Sequence, residues 1–297
     1  MRLDEVMESM GEAGEYTGNV NFETLGLASN KTEKRKLTFV DNIKYINDIS
    51  PDSNVVLTTK EIAESAINLD SFCVCDNPRV LFFRVHNFIS GNPDYRRKEF
   101  ETQTGNNCAI SSLSSIAPKN VIIGNNVTIE EFVVIRENTV IGDNTIIRAG
   151  VKIGTQGYEF KRSGDIIESV ETLGGVIIGK NVEVQYNTCV ERATYPWDNT
   201  EIGDFTKIGC LVIIGHAVKI KKNGLVVARS GIGGRTEVGA NCWIGFGATV
   251  INGISVGDNA RTNIGSVVTK SVPDNGSVTG NFAIEHNKFI QNLKKQR

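Results

Sequence analysis

The chain has no apolar run near the ~20 residues a helical membrane span requires, no paired CxxC spacing and no excess of basic charge. The first absence excludes a membrane-spanning helix. The second concerns six cysteines scattered at Cys73, Cys75, Cys108, Cys189, Cys210 and Cys242. Their spacing makes no metal knuckle and points to reduced thiols in a cytoplasmic protein. The third, with a formal net charge of −2, argues against a nucleic-acid partner, which requires a basic face. Met1–Met10 carries three acids and no hydrophobic stretch, so no secretory signal is expected there. Proline is scarce, at six, and histidine scarcer, at three (His86, His216 and His286). Glycine is the exception: thirty residues, clustered after position 120.

What fills the sequence instead is a repeat. Every sixth residue from Ile123 to Ile153 is isoleucine. The series restarts at Ile178 and runs to Val268, where fourteen of sixteen positions are Ile or Val, with Pro196 and Thr262 the exceptions. A helix repeats apolar positions every 3.6 residues and an amphipathic strand every two. A strict six fits a short strand plus a turn, three of which close a triangular coil of about eighteen residues. The aliphatics point into the prism. Gly-Asn-Asn and Gly-Asp-Asn triplets such as Gly124–Asn126 and Gly142–Asn144 suit the corners, where φ > 0 is required. The phase slips by one between Ile153 and Ile178, so residues 154–175 read as a loop thrown out of the coil.

Three regions follow: a small α/β domain over 1–105, a mainly β coil over 106–275 and a short helical tail over 276–297. Asn77-Pro78 before an apolar run predicts a helix starting near Pro78. His86 and His286 lie outside the repeat and read as structural or solvated. His216 sits at a coil corner two places after Ile214, so its ring is expected to face outward. Steps of eighteen place Asp198 one coil below it and Gly234, Asn252 and Lys270 above. Stacked strands are ~4.8 Å apart, which puts Lys270 roughly 14 Å away, about the reach of a phosphopantetheine arm. That column suits acyl transfer from a thioester to an amine. His216 takes the amine proton, Asp198 orients the ring, the Gly234 N–H donates to the oxyanion, and Lys270 meets a phosphate. Arg261, in a late coil, is a further candidate for the donor's nucleotide end, and Tyr158 for the sugar pocket.

From Leu173 onward, LGGVIIGKNVEVQYNTCVERATYPWDNTEIGDFTKIGCLVIIGHAV resembles the bacterial UDP-3-O-acylglucosamine N-acyltransferases. The resemblance implies a left-handed parallel β-helix of hexapeptide repeats and a nucleotide-binding N-terminal domain. It also implies a homotrimer with active sites between subunits. LTFVDNIKY is similar to the family's uracil-binding motif, implying that Phe39 stacks on the base while Asn42 and Tyr45 read the base or ribose. GTQGYEF is similar to the loop that precedes the histidine coil. His216 aligns with the general base and Gly234 with the oxyanion donor.

The chain departs from that family at Gly209-Cys210, where an Asp-Asn pair is usual, at Ala217, at Ile254 and in its short C-terminal part. The segment CWIGFGATVINGISVGDNARTNIGSVVTKSVPDNG looks like sugar-nucleotide N-acetyltransferases that use coenzyme A. The resulting expectation is an N-acyltransferase carrying an acyl group from acyl-CoA to a dTDP- or UDP-linked amino sugar, without a metal. The alternative is the UDP-3-O-acylglucosamine enzyme of lipid A synthesis, which uses acyl-acyl carrier protein. Zinc chemistry of the γ-type carbonic anhydrases, which share this fold, needs three histidines, and only His216 lies in the repeat.

Overall fold

The computed structural model describes residues 1–50, 53–65, 69–280 and 282–295. From Gln103 to Val278 the backbone winds the expected left-handed parallel β-helix. Strands of two to four residues stack into three parallel sheets of nine, eight and eight strands. The six-residue period explains the stacking. In the nine-stranded sheet Ile129, Ile147, Val184, Ile208, Val226 and Ile244 pair rung on rung, and none is more than 2% exposed. Each such side chain adds about 1.5–3 kcal/mol by leaving water. The corners turn through left-handed residues, and at one edge these are asparagines. Asn223, Asn241 and Asn259 have φ of 57–60°, and their amides link at 3.1 Å from one coil to the next.

Two excursions leave the prism. Thr139–Ile141 pairs directly with Val176–Ile178, nineteen residues beyond a single eighteen-residue turn. The inserted chain, read from the phase slip as a loop thrown out of the coil, carries regular structure of its own. Phe160–Ser163 and Ile166–Ser169 form an antiparallel hairpin that is tied to the N-terminal region by Arg84 and Glu168 at 2.8 Å. The second excursion is invisible to the period. Val190 pairs with Ile214, six residues more than one turn. Six extra residues preserve the phase, so Pro196 keeps a place in the aliphatic series while lying outside the coil. Arg97 donates to the carbonyls of Pro196 (2.6 Å) and Asp198 (2.7 Å), and Trp197 Nε1 donates to Leu25 O at 2.8 Å.

The N-terminal region is a five-stranded sheet. Thr24–Leu25, Lys36–Val40, Ser53–Thr58 and Phe72–Val74 run parallel, and Glu15–Thr17 runs antiparallel at the edge. The helix predicted at Pro78 spans Pro78–Ile89, with the Asn77 side chain accepting the Val80 N–H. It buries Leu81, Phe82, Val85 and Ile89 on Leu25, Leu37 and Leu57, and the same cluster takes in Val170, Leu173 and Tyr195 from the two excursions. His86 is buried in this core. Its Nδ1 is 2.8 Å from the Tyr95 hydroxyl and its Nε2 2.8 Å from Glu171 O, and burial pushes its pKa down to about 4. A short terminal helix, His286–Lys295, buries no residue. Among the described residues all six cysteines are unpaired, and no helix is long and apolar enough to cross a membrane.

Replacing Ile244, fully buried in the stack, by Ala is expected to destabilise the fold by about 2–5 kcal/mol. The outward Thr249→Ala should stay within about 0.5 kcal/mol. Denaturant unfolding of both variants checks this, and equal losses would contradict the inward assignment.

Candidate active site

The site begins at the corner where the third strand of one turn passes to the first strand of the next. His216 occupies it, followed by Ala217 in the left-handed region at φ 57°. Its ring is buried, with the side chain 9% exposed, rather than facing solvent as its corner position suggested. Two features bury it. The imidazole lies over Gly234 one coil above, so close that a Cβ there would sit 2.5 Å from Nε2. The inserted segment closes from the other side, where a Cβ on Gly157 would lie 3.0 Å from the His216 Cβ. Gly234 is therefore required first as room for the ring.

The carboxylate beside the imidazole is not Asp198. The extra six residues place Asp198 at the end of the second excursion, where it pairs with Lys219 at 2.8 Å. Glu159, delivered by the inserted segment, takes that position instead, with Oε2 3.3 Å from His216 Nε2. Arg235 donates to the same Oε2 at 2.6 Å, and Lys161 contacts Oε1. Glu191 latches the assembly. Its carboxylate accepts the His216 backbone N–H at 3.0 Å and that of Tyr158. The Nδ1 of His216 is buried without a hydrogen-bond partner. Burial, and then Arg235, push the imidazole pKa down to about 4 against the pull of Glu159. Burial pushes the Glu159 carboxyl up, but Arg235 and Lys161 outweigh it and hold it below its usual range.

A cavity of about 290 Å³ opens beside this cluster, lined by Phe39, Tyr45, Arg79, Phe83, Lys161 and Arg235 among others. Phe39 packs at 5.0 Å on Phe82, and Lys44 sits 4.6 Å over the Tyr45 ring. The structure thus brings Phe39 and Tyr45 together with cations. Asn42 does not join them: its side chain caps the short 3₁₀ helix Ile43–Asp48 by accepting the Lys44 N–H. A second cavity, about 360 Å³, is lined by Trp197, Asp198, Lys219 and again Arg235. Neither cavity reaches the ring of His216. Tyr158 is 84% exposed and packs on Phe160 at 4.9 Å. Above Gly234 the column keeps its register, since strand pairs step by eighteen through 213, 231, 249 and 267. Asn252 is exposed along it, and Lys270 is exposed at the next corner, which is two residues shorter because Val256 pairs with Val272. The Arg261 guanidinium rests 5.2 Å from the Trp243 ring centroid, on the nine-stranded sheet. Among the described residues no group of three or more His, Cys, Asp or Glu is placed to hold a metal.

The four charged residues around His216, namely Glu159, Lys161, Glu191 and Arg235, were given no role by the sequence. Glu159 and Lys161 lie in or beside GTQGYEF, and Arg235 follows the glycine of the column. Each was adjacent to a signal already in hand.

Comparison with known proteins bears out the resemblance. The family described as bacterial transferase hexapeptide (six repeats) matches residues 120–155. The UDP-3-O-acylglucosamine N-acyltransferase of Delftia acidovorans is 34% identical over 139 residues, 47% of this chain and 41% of that protein. The UDP-3-O-acylglucosamine N-acyltransferase 2 of Legionella pneumophila is 42% identical over 93 residues, 31% of this chain and 26% of that protein. The chain thus matches less than half the length of these curated relatives. Among solved structures, the UDP-N-acetylglucosamine acyltransferase from Campylobacter jejuni superposes with a TM-score of 0.55 at 19% identity, covering 65% of this chain and 78% of that one. The UDP-N-acetylglucosamine acyltransferase from Bacteroides fragilis gives 0.51 at 23%, covering 60% and 67%. At such identities the superpositions establish the fold.

If Glu191 latches the inserted segment, Glu191→Ala should leave two amides without their acceptor, a loss of about 1–3 kcal/mol for each. Hydrogen exchange at Tyr158 and His216 should then accelerate roughly tenfold or more. Unchanged exchange at both amides would remove the latch.

Proposed function

We propose that this chain moves an acyl group from a thioester to the amine of a nucleotide-linked amino sugar. The observation that carries the reading is the buried imidazole of His216 laid over Gly234, beside a cavity that combines Phe39 and Tyr45 with three cations. In this reading residues 1–105 hold the nucleotide. Its base rests against Phe39 and Tyr45, and its diphosphate meets Arg79, Lys161 and Arg235.

The amine nitrogen attacks the thioester carbonyl carbon while His216 accepts the amine proton. The carbonyl electron pair moves to oxygen, where the Gly234 N–H donates to the oxyanion. Collapse breaks the carbon–sulfur bond, and the departing thiolate recovers the proton from the imidazolium. No covalent enzyme intermediate and no metal enter the scheme. Orientation of the ring falls to Glu159 rather than Asp198.

The names of the sequence relatives weight the acceptor toward a UDP-linked acylglucosamine, the case expected to draw its acyl group from a carrier protein. A second reading, acyl-CoA with a dTDP-amino sugar, is supported by Asn252 in the His216 column, by the exposed Lys270 at the shortened corner above it and by Arg261 in a late coil. Assembly as a trimer with sites between subunits is supported by an exposed apolar edge: Leu113, Phe132, Leu211, Phe246 and Ile264 recur at one corner of the coil. Sedimentation should give a particle of three 32.4 kDa chains, and a monomer would rule the trimer out.

The discriminating assay crosses UDP-3-O-acylglucosamine and a dTDP-amino sugar with acyl-CoA and acyl-carrier protein. Turnover in one pairing selects the reading, and none in all four defeats it. His216→Ala should lower kcat by about 10²–10⁴ in the active pairing. Full activity in that variant would remove the mechanism.

A further inference from the structure

One carboxylate oxygen has two claimants. Glu159 Oε2 lies 2.6 Å from an Arg235 terminal nitrogen and 3.3 Å from His216 Nε2, while Oε1 is in contact with Lys161 Nζ. The Glu159 and His216 side chains are each 9% exposed and Lys161 10%, so water does little to dilute the competition. Arg235 and Lys161 also have a second address. Both line the Phe39–Tyr45 cavity, and Arg235 lines the neighbouring Trp197 cavity as well. A guanidinium binds phosphate oxygens with the geometry it uses for a carboxylate, and a diphosphate carries more charge than one glutamate.

We infer that Glu159 is a positioning residue shared between the nucleotide cavity and the base: Arg235 and Lys161 hold its carboxylate in the free protein, and a bound nucleoside diphosphate draws those cations away and leaves the carboxylate to His216. The inference rests on the acyltransferase reading of this site. The charged groups that face the imidazole come from three directions. Glu159 and Lys161 belong to the inserted segment and Arg235 to the coil above, while Glu191 sits below, against the backbone N–H. The two cations oppose a charge on the ring and Glu159 favours it. The cations, together with burial, hold the imidazole pKa down, and so weak a base serves poorly near neutral pH. Phosphate oxygens would neutralise the cations, free the carboxylate and make the ring more basic. The base would then act chiefly when the acceptor is present, which leaves the donor thioester unassisted against water in its absence.

With only three histidines, ¹⁵N-imidazole NMR of the intact protein can follow His216 directly, the signal being assigned with His216→Gln. UDP is the probe, and calorimetry reports its binding independently. Saturating UDP should raise the His216 pKa by about one unit or more, tenfold in proton affinity. Arg235→Gln should raise it without nucleotide, and Glu159→Gln should lower it and shrink the UDP response. If UDP binds and the ring pKa stays within a few tenths, the hand-over is overturned while nucleotide binding stands. If neither UDP nor dTDP in its place binds, the nucleotide reading fails, and the free Arg235→Gln protein still decides the electrostatic coupling: an unmoved ring overturns it.

Discussion

The inward stack of aliphatic side chains is the constraint on which everything else is hung. A coil of short parallel strands has no hairpins to set its register, so the register comes from packing one Ile or Val on the next along each face. Once Ile208, Val226 and Ile244 are stacked, the residues between them are forced to corners at fixed intervals. The proposed chemistry occupies one of those corners. His216 and Gly234 meet because Ile214 and Ile232 pair, and the imidazole is buried because the residue one turn above it has no side chain.

The coil itself was legible in the primary structure because a period of six has few physical solutions. Its two departures were not equally so. The first shifted the phase of the aliphatics by one and announced itself, although the hairpin within it did not, since Ile166 and Ile167 are more than half exposed and show no inward stripe. The second added six residues and left the phase intact, so the column arithmetic ran one rung out just below His216. That is the physical reason Asp198 was expected beneath the ring and Glu159 found beside it. Motif resemblance singled out Phe39 and Tyr45, which line one cavity. Their cationic neighbours were not, because Lys161 and Arg235 reach the cavity only after the insertion has folded back across the coil.

The pattern of burial around His216 explains why its neighbours matter more than its own identity. An imidazole at an open corner would titrate in its ordinary range. Here it is enclosed by Gly157, Gly234 and Glu159, with Arg235 at the same carboxylate oxygen. The backbone at Ala217 and Arg235 holds left-handed φ values of 57° and 61° without glycine, a local strain that the surrounding ladder sustains.

The second excursion, which fastens Pro196, Trp197 and Asp198 to Arg97 and Leu25, has a mechanical corollary. The peptide chain crosses between sheet and prism at three separate places: the direct connection near residue 100, the hairpin and this bolt. Each further tether opposes a clamshell opening that a single connection would allow. The clefts at the seam are therefore pre-shaped rather than formed on demand. A guest entering them sacrifices its own freedom but little of the host's, and selectivity there is a matter of fit to a rigid outline.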